Sequence, residues 1–188
     1  MSVAIGDARP HSALADLGIA RVLAIGVLLI VALALQSTML EQLTFLGVTP
    51  QLALIVVVSL AYLEGERVGI VTAFAAGLLL DLQLPEGAIV GISPLVYVFL
   101  AFAVASLRQY SVSESVWIPV LSITVVSAVA EFGYASLAII LGQRWVSLSY
   151  TAQVAGLVIL YNTLLAPFVF PIVRRVSNRF GPRRVYRA

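Results

Sequence analysis

Six long apolar runs, separated by short charged or Pro/Gly-containing segments, constrain this chain more than any other feature. They cover residues 19–40, 48–63, 68–84, 88–107, 116–141 and 151–173. A helix needs about 20 residues to cross the hydrocarbon core of a bilayer. The second and third runs are slightly shorter than this and are joined only by Glu64–Arg67. The sequence therefore predicts either six spans, or four spans and a re-entrant hairpin formed by these two runs.

The composition excludes a soluble fold. Of all residues, 61% are hydrophobic and only 11% are charged, whereas soluble domains average about 25% charged residues. A soluble protein of this composition could not cover its apolar surface, because a folded domain still needs a polar exterior. We therefore predict an all-α membrane protein, a six-transmembrane-helix bundle in contact with lipid.

The placement of arginine predicts the orientation of the bundle. The chain contains no lysine, and all eleven basic residues are arginines. With six spans, Arg144 alone falls on one side, and the other ten fall on the side of both termini. The positive-inside rule then makes both termini cytoplasmic. We expect a cytoplasmic leader at residues 1–18, a transmembrane domain at 19–175 and a basic cytoplasmic tail at 176–188, which either docks on anionic lipid headgroups or only anchors the topology. The tail needs no nucleic-acid function to explain it.

A ridge of small residues runs along the third apolar run. Gly65, Gly69, Ala73 and Gly77 are spaced four residues apart, so they share one inclined face of a helix. Small residues let another helix approach closely. The ridge predicts either packing inside this bundle or a docking face for another protein's span.

Three polar residues stand within or beside apolar runs, where polar groups are costly. Asp81 ends the third run and is expected to cap the following loop or the fourth helix by accepting backbone N–H bonds. Glu131 and Asn162 lie at similar depths, about 15 and 16 Å from the outer ends of the fifth and sixth runs. A hydrogen bond from Glu131 to Asn162 or Tyr161 is one interpretation, and a proton or substrate site is the other.

The inventory of reactive side chains argues against catalysis. There is no cysteine, and the single histidine, His11, lies in the predicted leader. The chain has no nucleophile elbow, P-loop or His-Glu-x-x-His sequence, which are the motifs of common hydrolases, nucleotide-binding proteins and zinc proteases. We therefore predict a protein that is not an enzyme and has neither a cofactor nor a metal site.

One pattern of residues extends across the second to fourth runs. Its members are Pro50, Leu52, Gly65, Gly69, Gly77, Leu78, Asp81 and Gly91. They form a Pro-x-Leu entry, spaced glycines, a Gly-Leu-x-x-Asp sequence and a glycine before the next helix. This pattern resembles the signature of the rod-shape-determining protein MreD family.

This resemblance implies a non-catalytic subunit of the bacterial cell-wall elongation machinery in the cytoplasmic (inner) membrane. The implied partner is MreC and, through it, MreB, a penicillin-binding transpeptidase and a SEDS glycan polymerase. On this hypothesis Gly69, Ala73 and Gly77 approach the span of MreC, and Asp81 fixes the outer loop against its juxtamembrane segment.

The MreD family is also similar in fold to the substrate-binding S components of energy-coupling-factor transporters, which supplies an alternative function. An S component binds a vitamin and docks its coupling subunit through an Ala-x-x-x-Ala face, a spacing that Ala20 and Ala24 share. No cluster of polar and aromatic residues that converges on a pocket is evident from the sequence. The scaffold function is therefore preferred.

Overall fold

A computed structural model of the chain describes residues 11–40, 48–84, 88–108, 117–143 and 146–180. Within these ranges the chain forms six α-helices, and a π-helical turn, Gln36–Leu40, continues the first of them. The helices are α1 (His11–Leu35), α2 (Leu52–Glu64), α3 (Glu66–Asp81), α4 (Ile92–Arg108), α5 (Trp117–Ile140) and α6 (Leu148–Phe180). The predicted all-helical class is confirmed.

The helices follow the apolar runs, with differences at the two ends of the chain. Helix α1 begins at His11, inside the predicted leader, and α6 continues to Phe180, inside the predicted tail. Three segments are long and apolar enough to cross a membrane, namely Gly18–Thr38, Trp117–Ile140 and Leu148–Phe180, while α2 and α4 are apolar but shorter. The membrane class is therefore supported, and the count of six spans stays a prediction.

Helix α2 is the central helix of the bundle. It packs against each of the other five helices, and all its residues from Leu52 to Ala61 are buried. A helix that is apolar on every side is stable only when it is enclosed. At 1.5 Å per residue its 13 residues extend about 20 Å, which is shorter than the hydrocarbon core. Because protein surrounds it, α2 does not have to span the bilayer by itself.

Helices α2 and α3 form an antiparallel pair around Gly65. This residue has a φ of 93°, a backbone conformation that glycine adopts without steric cost. Its N–H donates to the carbonyl oxygen of Ala61 at 3.0 Å and closes the last turn of α2. Helix α3 begins at the next residue, Glu66.

One end of the bundle carries all the arginines that the structure describes. The side chain of Arg21, on α1, forms a salt bridge with Glu64, the last residue of α2. Near the same end of α2, the Tyr62 ring packs edge-on against Phe170 of α6, with ring centroids 6.2 Å apart. The remaining arginines of this arginine end are Arg67, Arg108, Arg174, Arg175 and Arg179. Residues Arg9, Arg144, Arg183, Arg184 and Arg187 lie outside the described residues.

Candidate functional site

Asp81 joins the end of α3 to the start of α4. Its side chain is almost fully buried, at 1% exposure, and its Oδ2 accepts N–H bonds from Gly91 at 2.6 Å and from Ser93 at 3.3 Å. The first N–H groups of a helix have no partner within the helix, and a carboxylate there is also favoured by the helix dipole. This is the capping geometry that the sequence predicted for Asp81. The second oxygen, Oδ1, has no hydrogen-bond partner among the described residues.

The start of α2 is held by side-chain amides from two other helices. The N–H of Gln51 donates to Oδ1 of Asn162 at 2.9 Å, and the N–H of Ala53 donates to Oε1 of Gln36 at 3.1 Å. Asn162 in turn donates from Nδ2 to the hydroxyl oxygen of Ser127 at 2.9 Å. Because α2 begins inside the bundle, these N–H groups must find partners within the protein. Asn162 therefore has a structural role as a cap for the central helix.

Glu131, on α5, is also connected to the start of α2, through the side chain of Gln51. The Nε2 of Gln51 donates to Oε1 of Glu131 at 2.5 Å. One interpretation of the sequence was a hydrogen bond from Glu131 to Asn162 or Tyr161, and this bond is not among the hydrogen bonds of the described residues. The physical reason is that the residues just before α2 lie between α5 and α6. Gln51 therefore donates from its side chain to Glu131 and from its backbone N–H to Asn162.

Asp81, Gln51 and Glu131 line a cavity of about 300 Å³. Residues from the first five helices and their ends line it, so it draws on segments that are far apart in the sequence. Its polar lining includes Gln36, Gln51, Asp81, Tyr97, Glu131 and Tyr134. The interpretation that no polar and aromatic residues converge on a pocket is therefore wrong. Spacing along one helix does not reveal such a cluster. The one available signal was the amide of Gln51 directly before a fully apolar run.

The small-residue ridge faces the protein's own helices. A Cβ added at Gly69 would lie 2.8 Å from the Cβ of Ala61 on α2, and one added at Gly77 would lie 2.5 Å from the backbone nitrogen of Pro94 on α4. Ala73, between them, is fully buried. Only Gly65, in the turn before α3, is partly exposed. The prediction of an open docking face for another span is therefore corrected, because α2 and α4 already occupy this face.

Comparison with known proteins gives one match. The family model described as rod shape-determining protein MreD matches residues 18–178. No curated protein and no solved structure matches the chain, and nothing in these comparisons supports the vitamin-binding alternative. The matched segment contains all of α2 to α5, most of α1 and α6, and every described residue that lines the cavity. The chain thus belongs to the MreD family of rod shape-determining proteins.

Proposed function

We propose that this protein is a non-catalytic, multi-pass subunit of the bacterial cell-wall elongation complex in the cytoplasmic (inner) membrane. It binds MreC and acts through it with MreB, the penicillin-binding transpeptidase and the SEDS polymerase in lateral peptidoglycan synthesis. The observation that carries this proposal is the family match over residues 18–178, which gives a role in rod shape determination. The exposed apolar side chains around the bundle, such as Val22, Phe99 and Phe168, fit a helical protein that meets lipid and other spans.

In this proposal the arginine end faces the cytoplasm. The six described arginines lie there, and positively charged residues concentrate on the cytoplasmic side of membrane proteins. Both chain termini are then cytoplasmic, and the cavity lies toward the outer face. Because the chain has no cysteine, single-cysteine labelling tests this orientation. A membrane-impermeant maleimide should label Ser147→Cys in intact cells and should not label Ala188→Cys. The reverse pattern would invert the topology.

We assign the surface that binds the MreC span to α6. Ala152 and Gly156 are four residues apart and both exposed, and a Cβ added at Gly156 would meet no atom within 4 Å. Leu160 and Leu164 extend this exposed face along the helix. Small residues beside apolar ones allow close packing of membrane helices. Unlike the ridge on α3, this small-residue face is not covered by another of the described helices.

Co-purification of MreC with the tagged protein tests this assignment. Gly156→Leu should lower the recovered MreC at least about tenfold, which corresponds to a loss of about 1.4 kcal/mol or more of association free energy. Gly26→Leu is the matched control, because Gly26 on α1 also has no atom within 4 Å of an added Cβ but is flanked by the exposed, bulky side chains of Val22 and Ile30.

The outcomes distinguish MreC binding itself from the assignment of its binding site to α6. Failure of the wild-type protein to retain MreC under conditions in which both proteins are inserted would refute MreC binding itself. Equal retention by the wild-type, Gly156→Leu and Gly26→Leu proteins would leave MreC binding intact and move its site away from α6.

A further inference from the structure

Two residues that line the cavity, Asp81 and Gln51, each carry a buried acceptor without a donor. Neither Oδ1 of Asp81 nor Oε1 of Gln51 has a hydrogen-bond partner among the described residues. Asp81 is nearly fully buried and lines the cavity. Buried polar atoms are almost always hydrogen-bonded, so an unpaired one asks for an explanation. Two in one cavity point to a ligand that supplies donors.

Two carboxyl groups, those of Asp81 and Glu131, line the cavity. Tyr97 and Tyr134 line the cavity beside these carboxyl groups. None of the lining residues that the structure describes is basic, and the described arginines lie at the opposite end of the bundle. Low-dielectric walls strengthen the field of these carboxylates within the cavity. The ligand that fits such a field is a cation.

The acceptors favour a cation with N–H donors over a metal ion. A primary ammonium group has three N–H donors, one for each of Asp81 Oδ1, Gln51 Oε1 and the carboxyl group of Glu131. Calcium takes six to eight oxygen ligands, commonly with several carboxylates. Within the described ranges, no group of three or more His, Asp or Glu side chains is placed to hold a metal ion. A quaternary ammonium group has no N–H and would leave the acceptors unpaired.

We propose that this cavity binds a primary ammonium group, carried either by a free small amine or by the ethanolamine headgroup of a membrane lipid. Its volume of about 300 Å³ equals on the order of ten water molecules, so a group of ethanolamine size fits inside. The exposed side chain of Leu84 at its edge places the opening at the end of the bundle away from the arginines. This site is separate from the α6 surface proposed for MreC and does not depend on that proposal.

Thermal unfolding of the purified protein in phosphatidylcholine nanodiscs tests the chemistry of the site. A ligand that binds only the folded state raises Tm in a saturable way. Ethanolamine should raise Tm, whereas ethylene glycol, choline and sodium chloride at matched ionic strength should not. The three controls lack, respectively, the charge, the N–H donors and the organic amine. No shift with ethanolamine, or an equal shift with choline or sodium chloride, would overturn the proposal.

Glu131→Gln tests the position of the site. The new side chain keeps an oxygen that accepts the bond from Gln51 but removes the negative charge, so the bundle should fold with a nearly unchanged unliganded Tm. The Kd for ethanolamine should rise at least about tenfold, because a charged acceptor is replaced by a neutral one. Glu66→Gln is the matched control, since Glu66 is exposed at the arginine end, and its Kd should equal that of the wild type.

A second variant keeps the test decisive if Glu131→Gln does not fold. Tyr97→Phe removes only a hydroxyl from the cavity wall and should also weaken ethanolamine binding. An unchanged Kd in every folded cavity variant would place the ammonium group elsewhere and refute the assignment.

The lipid composition distinguishes the two sources of the ammonium group. If the lipid headgroup is the ligand, phosphatidylethanolamine in the nanodisc should raise the Tm of the wild-type protein and abolish the response to free ethanolamine, and Glu131→Gln should remove this lipid effect. If a free amine is the ligand, the response to ethanolamine should be the same in both lipids.

Discussion

Gly77→Ala tests whether α3 and α4 are in backbone contact. A Cβ added at Gly77 would lie 2.5 Å from the nitrogen of Pro94, 2.6 Å from its Cα and 2.7 Å from the carbonyl carbon of Ser93. All three atoms belong to the backbone at the start of α4, so no side-chain rotation relieves the overlap. The substitution therefore forces one helix to move relative to the other.

The magnitude follows from the size of that movement. Ordinary contacts between carbon atoms are about 3.5–4.0 Å, so the helices must separate locally by about 1 Å. Overpacking of this kind costs about 1–3 kcal/mol, and the gain from placing alanine rather than glycine in a helix is only about 0.5–1 kcal/mol. The movement also stretches the two bonds from Gly91 and Ser93 to Asp81, and hydrogen bonds to a charged group contribute about 1.5–3 kcal/mol. We expect a net loss of about 2 kcal/mol.

The assay is unfolding of the purified protein in detergent, followed by helical circular dichroism. A loss of about 2 kcal/mol should lower Tm by about 4–8 °C for a chain of this length. Gly26→Ala is the matched control, because an added Cβ there meets nothing within 4 Å, and it should leave Tm unchanged or slightly raised. Equal Tm values for the two variants would refute the close contact between α3 and α4.

Further substitutions test the two ends of α2. Asn162→Ala should destabilise the bundle by about 1–3 kcal/mol, because the N–H of Gln51 loses its acceptor inside the protein, while Ser127→Ala should cost less because it removes only one bond to Asn162. Equal losses in an unfolding assay would contradict the capping role of Asn162. Arg21→Glu should cost about 3–5 kcal/mol by leaving Glu64 without its partner, and the double exchange with Glu64→Arg should recover part of it. No recovery in unfolding measurements would mean that the ion pair does not stabilise the fold.

The sequence predicted the helices well because lipid imposes a simple rule on them. Apolar run length and the charged segments between runs located all six helices, with most ends within about four residues. The second run was predicted to begin at residue 48, but α2 begins at Leu52. Residues 48–51 are Val-Thr-Pro-Gln, and Pro50 has no backbone N–H and does not continue a helix from its N-terminal side. The predicted run therefore began about four residues too early, because it included this proline and the polar residues on both sides of it.

The partners of each face could not be predicted, because spacing shows only which residues share a side of a helix. Gly69 and Gly77 were placed on one face, as the structure has them, but nothing in their spacing told whether α2, α4 or another protein would meet it. The same limit applied to Glu131 and Asn162. Their similar depth indicated that they lie near each other, whereas the residue that joins them, Gln51, comes from a third segment.

A uniformly apolar central helix leaves its own position undetermined, since sliding or rotating it exchanges one apolar contact for another. The polar groups at the two ends of α2 remove this freedom. Glu64 bonds Arg21 at one end, and Gln51 bonds Glu131 and Asn162 at the other. Hydrogen-bonded polar residues in this bundle thus have a sufficient structural reason to be there, and their burial alone indicates no ligand. Oδ1 of Asp81 and Oε1 of Gln51 have no such partner among the described residues, and a bound ammonium group would supply the donors that these two oxygens lack.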